Sequence, residues 1–322
     1  MRKKHRDTLA RSAMKLLCTL LGIILALMLA VTCAFQYLLD QINTVPDSDA
    51  GSLPAFSLSQ KEGRSPLSMI TGEHQTVNIL LIGQDRREGE TQARSDSMIL
   101  CSYSRDTAAV TMTSFLRDLY LPIPGHGSNR INAAYSFGGM KLLEQTIEEN
   151  FAISVDGSIE VDFQQFSQII DLLGGVSITL RQDEAEIINQ ETGSMLAEGT
   201  HTLTGSQALT YSRIRSLDLD GDFSRTNRQR KVLEAIVDSC RNASPAKLIP
   251  LLNQLLPMIT TNLNSGQLLL LALEAAPQLS DLQLVSQRIP ADGTFSDDTI
   301  DGMSVLVADL EANRRILHEI VN

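Results

Sequence analysis

The chain has 322 residues and a formal net charge of -11, which counts against nucleic acid as the main partner, because phosphate backbones are held by a net basic footprint. Hydrophobic residues make up 43% and charged residues 20%, so a packed core is within reach and wholesale disorder is excluded. Trp is absent and aromatics are scarce, which argues against stacking platforms for bases or sugars.

Arg2, Lys3, Lys4, Arg6, Arg11 and Lys15 precede an uncharged apolar run over 16–39, and Asp40, Asp47 and Asp49 follow it. At ~1.5 Å rise per residue that run crosses a hydrocarbon core of ~30 Å. It continues past the small residues that could mark a cleavage site, so it reads as a retained transmembrane helix rather than a signal peptide. The positive-inside rule puts the tail 1–15 in the cytoplasm and everything beyond the span outside the cell. The stretch 40–75 is rich in Ser, Gly, Pro, Asp and Gln and reads as an extracellular linker, leaving 76–322 as the folded domain.

The first core strand is VNILLIG, a continuous apolar run suited to burial on both faces. SMILCSYS and AVTMTSF flank a turn over 105–108 and predict a hairpin. Helical periodicity covers 132–150 and 163–173, the second ending at Gly174-Gly175, a plausible C-cap. VSITL is the next strand. Thr204 is placed to cap a helix through LTGSQALTYSRIR, and 225–240 reads as another helix. Beyond Pro245, Leu-rich helical segments alternate with extended pieces such as LQLVSQRI. Strands and helices interleave, which predicts an α/β fold: a central sheet flanked by helices on both faces. Cys101 and Cys240 lie outside the span, where a disulfide is permitted; sequence does not say whether they meet, and their spacing matches no metal motif.

The segment SRIRSLDLDGDFSRTNRQR, 212–230, packs five arginines and three aspartates into an acidic chain. A calcium loop starting at Asp218 fails, because its sixth position is Phe223 instead of Gly and its twelfth is Gln229 instead of Glu. A basic sorting signal falls with the topology. Further arginine–aspartate groupings sit at strand ends: Asp85-Arg86-Arg87 after the first strand, Arg94 and Asp96 at the start of the next, and Arg117-Asp118 after the hairpin. Strand ends are where α/β sheets bind ligands. Guanidinium forks match phosphate oxygens, and neighbouring carboxylates make sense if magnesium is held between protein and phosphates. Singly, each pairing reads as a surface salt bridge of small value; together, at successive strand ends, they point to a pyrophosphate-bearing substrate.

The ordered set ILLIGQDRR, ARSDSMIL, SFLRDLYLPIPG, RINAAYSFGG, VDFQQFSQIIDLLGGVSITL, LTGSQALTYSRIRS and GDFSRTNRQRKVL resembles the LytR-CpsA-Psr family of cell-wall ligases over roughly 76–322. The resemblance implies an α-β-α catalytic domain with a mixed sheet. It implies transfer of a glycopolymer, such as a teichoic acid or capsular polysaccharide, from a polyprenyl-pyrophosphate carrier to peptidoglycan through a phosphodiester. Carried over by motif, Asp85 and Asp96 hold Mg2+, or Mn2+ in its place. Arg94, Arg117, Arg213, Arg215, Arg225 and Gln229 contact the pyrophosphate, supported by Asp222 and Arg228, with Arg117, Asp96 and Arg94 nearest the chemistry; an aliphatic pocket takes the polyprenyl tail. The chain departs from the family pattern at Arg86 and Ser224. Two other readings use the same residues: a hydrolase of polyprenyl-pyrophosphate lipids, and a noncatalytic membrane-anchored binder of wall precursors. A serine hydrolase lacks its GxSxG elbow.

Overall fold

The computed structural model describes residues 43–44, 76–84, 95–217, 222–241, 254–264, 267–268, 271 and 278–321. The expected span 16–39 and nearly all of the expected linker lie outside them. Among the described residues, no helix is long and apolar enough to cross a membrane.

The apolar run becomes β2 (Thr76–Gln84), after a two-residue strand β1 (Asn43–Thr44) inside the stretch read as linker. The predicted hairpin forms as β3 (Ser95–Ser104) and β4 (Ala109–Phe115), paired from Ile99↔Ser114 to Ser104↔Ala109. A small ribbon, β5 (Tyr120–Ile123) and β6 (Gly127–Arg130), leads into α1 (Ile131–Phe151). This helix is not continuous as its periodicity suggested: Gly138 and Gly139 leave helical geometry, and Gly139 takes φ 63°, a conformation open to glycine at little cost.

β7 (Gly157–Asp162) returns to pair parallel with β2 and runs straight into α2 (Phe163–Leu172). Asp162 caps that helix by accepting from the Gln165 backbone N–H, while the Gln165 side chain accepts from the Asp162 N–H. Gly174 and Gly175 end it at φ 87° and 94°, as expected of a glycine terminator. β8 (Val176–Leu180) does not join the central sheet. It pairs instead with β9 (Gly199–Leu203), on either side of α3 (Gln182–Thr192). Thr204 caps α4 (Gly205–Arg213) as predicted, through the Gln207 N–H. A Cβ on Gly205 would stand 1.9 Å from the Ser167 carbonyl, so this glycine is what lets α4 approach α2.

α5 (Asp222–Arg241) starts three residues earlier than its periodicity suggested. The C-terminal part contributes β10 (Thr260–Thr261), β11 (Gln283–Ile289), an unforeseen hairpin of β12 (Phe295–Ile300) and β13 (Met303–Ala308), and α6 (Leu310–Val321). The polar run Ser-Asp-Asp-Thr inside β12 leaves no apolar period to read. Cys101 and Cys240 are not bonded to each other, and burial pushes the Cys101 thiol up to about 12.

The central sheet is mixed, in the order β1-β10-β7-β2-β3-β4-β11. β7, β2, β4 and β11 run one way and β3 the other, so four carboxyl ends and the amino end of β3 share one edge. On one face Leu80, Ile82, Met98, Leu100 and Phe115 are buried in a core completed by α1 and α6. The opposite face is covered by α2, α4 and α5. These helices have their main core elsewhere, with the β8–β9 hairpin: Ile170, Val176, Ile178, Leu203, Tyr211 and Val232.

Candidate active site at the carboxyl edge of the sheet

Two residues past β4, Arg117 leaves the edge of the sheet and meets three carboxylates. Its Nη1 lies 3.4 Å from Asp96 Oδ1, and its Nε lies 3.5 Å from Asp118 Oδ2 and 3.4 Å from Asp222 Oδ1. Asp96 stands there because β3 begins one residue before it, and Asp222 because it opens α5. Asp118 is held from its other side by Arg130, at 2.9 Å. Asp222 in turn gathers Arg225, whose Nη2 is 2.9 Å from both carboxylate oxygens, and Arg215, whose Nε is 3.9 Å away. One ionic chain therefore joins Arg130, Asp118, Arg117, Asp222 and Arg225, with Asp96 and Arg215 as branches.

The tension in this chain falls on Asp222. Burial pushes its carboxyl above the usual aspartate range; Arg117 opposes the rise, Asp118 adds to it, and Arg215 and Asp96 act weakly in the same opposing senses. Arg225 is 2% exposed, and its Nε has no hydrogen-bond partner among the described residues. Charged groups are arranged here at an energetic cost that a fold alone does not require.

Arg228 faces inward. Its Nε donates to Glu184 Oε1 at 2.8 Å and its Nη1 to the Ile214 carbonyl at 3.2 Å, tying α5 to α3 and to the end of α4. It braces the arm that carries Arg213 and Arg215. Nothing in the spacing of RQDEAEI announces Glu184 as that brace; it reads as an ordinary first-turn acid. Arg130 was likewise hidden in RINAAY, since its partner becomes visible only once the β5–β6 ribbon folds back.

Beside the charges lies a cavity of about 130 Å³ between the sheet and α2, α4 and α5. Its floor consists of neighbouring rows of the sheet: Leu81 pairs with Ile99 and Ile159, and Gly83 pairs with Ser97 and Val161. Phe163, Phe166, Leu209 and Leu233 form the walls. Gly83 and Ser97 keep it open, since even a methyl on Gly83 would stand 3.1 Å from the Ser97 Cβ. Gln229 and Ser212 also line it, and Gln229 Oε1 is buried without a partner. Arg213 stacks its guanidinium 4.8 Å above the Phe163 ring on the cavity wall. An apolar hollow thus adjoins arginines, with an unsatisfied amide between.

Of the residues singled out from sequence, Asp96, Arg117, Arg215, Asp222 and Arg225 meet in one cluster, and Arg213 and Gln229 meet at the cavity. Asp85 and Arg94 lie outside the described residues, as do Asp218 and Asp220. Among the described residues no group of three His, Cys, Asp or Glu side chains is gathered to cage a metal. A magnesium ion that takes one or two carboxylates and completes its shell with phosphate oxygens and water needs no such cage. Asp96 suits that part: it is about a quarter exposed, and among the described residues only one of its oxygens is engaged, at 3.4 Å.

The LytR_cpsA_psr family profile matches residues 53–320. The chain is similar to the polyisoprenyl-teichoic acid–peptidoglycan teichoic acid transferase TagU of Oceanobacillus iheyensis, 33% identical over 301 residues, covering 91% of this chain and 90% of that one. Among solved structures it is similar to TagT bound to LIIa-WTA, at TM-score 0.64 and 30% identity over 77% of this chain and 91% of that one. The LytR-CPS2A-psr family protein YwtF (TagT) with bound octaprenyl pyrophosphate lipid matches at TM-score 0.60 and 28% identity, over 77% and 90%.

Proposed function

The chain belongs to the LytR-CpsA-Psr family, and from that premise we propose that it transfers a glycopolymer from a polyprenyl-pyrophosphate carrier to peptidoglycan, forming a phosphodiester. The observation that carries this reading is the junction of an apolar cavity with a cluster of arginines and carboxylates, with the Gln229 side chain lining the cavity between them. A polyprenyl pyrophosphate has that same succession of parts. Teichoic acid, named for the similar transferases, is the polymer class to test first.

In this reading the tail enters between α2, α4 and α5. Gln229, Arg213, Arg215, Arg225 and Arg117 take the pyrophosphate, joined by Arg94. An acceptor hydroxyl attacks the phosphorus that bears the polymer; the new P–O bond forms as the bridging P–O bond breaks, and polyprenyl phosphate leaves. Arg117 stabilises negative charge developing on the bridging oxygen, a role in which one donor contributes about 10²–10³ in rate. The hydroxyl proton passes to a carboxylate of the cluster, Asp96 or Asp118, or directly to water. Asp85 and Asp96 would hold magnesium, which when bound supplies further neutralisation of phosphate charge. The apolar span 16–39 anchors the protein with its tail 1–15 in the cytoplasm, and the linker 40–75 carries the domain 76–322 on the outer side, beside a lipid-borne substrate.

The test is transfer by the full-length protein in detergent, with a defined lipid-pyrophosphate donor and peptidoglycan oligomers, with and without magnesium. Polymer joined to glycan supports ligation, whereas free phosphorylated polymer as the sole product makes the protein a hydrolase. Arg117→Ala and Asp96→Ala each lower transfer by at least ~10²-fold with unchanged thermal unfolding. Wild-type rates in both variants overturn the site assignment, and lipid binding without turnover under any condition favours the noncatalytic binder.

A further inference from the structure

On α5, successive residues point about 100° apart around the axis, so while Asp222 turns to Arg117, Phe223 faces the other way, toward β11. There the Arg288 guanidinium lies 4.5 Å over the Phe223 ring, and Phe295 packs on the same ring at 5.5 Å. Two turns along, on the same side of the helix, Arg230 donates from Nη1 to Ser114 Oγ at 2.6 Å. Ser114 is the register partner of Arg288 across the parallel β4–β11 pair, so the two guanidiniums are neighbours.

Arg230 is 5% exposed, and Ser114 is its only hydrogen-bond partner among the described residues; no carboxylate pairs with it. Glu234, the nearest acid along the helix, instead accepts from Ser286 Oγ at 2.8 Å. Nε of Arg230 and Nε of Arg288 are both buried without hydrogen-bond partners among the described residues. Arg288 has one ionic partner, Asp292, whose side chain is 85% exposed; such a pairing is worth little and is easily exchanged. Burial, and then the charge of Arg288, pull Arg230 down from the usual guanidinium range to about 10, with Glu234 opposing the fall. Two like charges, one of them buried and with no ion-paired carboxylate among the described residues, are unfavourable unless an anion is shared between them.

We propose that Arg288, with Arg230 buried behind it as a fixed positive charge, forms a second oxyanion subsite that receives a phosphate of the transferred polymer beyond the pyrophosphate. This rests on the transfer reading above and deepens it. The donor polymer is then one with phosphodiester units, Arg288 makes the contact, Arg230 raises the potential without touching the ligand, and Asp292 holds Arg288 until substrate displaces it.

The test compares two donors on the same polyprenyl pyrophosphate, a short polyol-phosphate chain and an uncharged glycan of equal length, with the full-length protein. Wild type prefers the charged donor in kcat/KM, and Arg288→Gln reduces that preference about tenfold, the size of one charge-assisted hydrogen bond. Arg288→Lys retains part of it, and Asp292→Asn increases it. Equal losses on both donors, or a rise in the KM for peptidoglycan alone, overturn the proposal, the latter by giving the subsite to the acceptor. Binding of a soluble glycerol-phosphate oligomer, measured by calorimetry, separates the two readings. If it weakens in Arg288→Gln while no donor is ever transferred, the transfer reading fails and the subsite stands. If transfer proceeds and neither binding nor preference responds to Arg288→Gln, the subsite fails alone.

Discussion

On one face of the central sheet, Leu80, Ile82, Met98, Leu100 and Phe115 disappear beneath α1 and α6; on the other, Leu81, Ile159 and Val161 stay half-buried under helices that do not fill the space above them. Both faces come from the same strands, and alternate residues of β2 serve each. The difference lies in what covers them. α1 and α6 press side chains directly into the sheet, with the Phe115 and Phe151 rings 5.2 Å apart. α2, α4 and α5 have their own core with the β8–β9 hairpin and stand over Gly83 and Ser97. Leaving apolar surface open forgoes about 25 cal/mol per Å², so the second face gives up stability that the first supplies. Stability and ligand capacity are thereby assigned to opposite sides of one sheet.

Truncation on the filled face tests this division with the largest effect. Phe115→Ala removes a fully buried ring and costs about 3–5 kcal/mol of unfolding free energy, measured by urea denaturation. Ile159→Ala, on the cavity floor, costs less than half as much because its side chain already borders open space. Equal costs would mean that the two faces are packed alike. Next in size is obstruction of the open face. Ser97→Phe places a ring in the cavity and weakens binding of a polyprenyl phosphate at least ~10-fold, about 1.4 kcal/mol, while the urea midpoint holds or rises. Unchanged lipid affinity would remove the cavity from the substrate path.

How much of this was legible depends on the range of the interaction. The hairpin of β3 and β4, the Thr204 cap and the Gly174-Gly175 terminator are local, and SMILCSYS, AVTMTSF, LTGSQAL and DLLGG announce them. The convergence of Asp96, Arg117, Asp222 and Arg225 was readable because each sits at or near the end of an element, and the amino end of β3 shares its edge with the carboxyl ends of β2 and β4. Three things were not readable. VSITL has the pattern of a strand but nothing in it names its partner, so its removal from the central sheet to β9 is decided by tertiary contacts. Glu184 and Arg130 are distant partners of charges whose own roles were evident. The Arg230–Arg288 neighbourhood depends on the β4–β11 register across a long sequence separation, which periodicity does not encode.

The smallest effect separates the faces by pH. Burial raises the Asp222 carboxyl above its unfolded value, so the folded protein binds that proton more tightly than the unfolded chain does. The stabilisation this gives is complete below the unfolded pKa and is lost as pH rises through the folded one. Ionising Asp222 therefore carries a cost in the folded protein, and the residue is retained because it holds Arg117, Arg215 and Arg225 together. Asp222→Asn should abolish this slope: the stability of the variant relative to wild type, from urea titrations between about pH 4 and 7, increases with pH even as transfer activity drops. The Phe115→Ala deficit involves no titrating group and stays constant over the same interval. A pH-independent Asp222→Asn difference would show that the strain of the site is held by its arginines instead, and the buried charge on Arg230 would then be the next place to look for it.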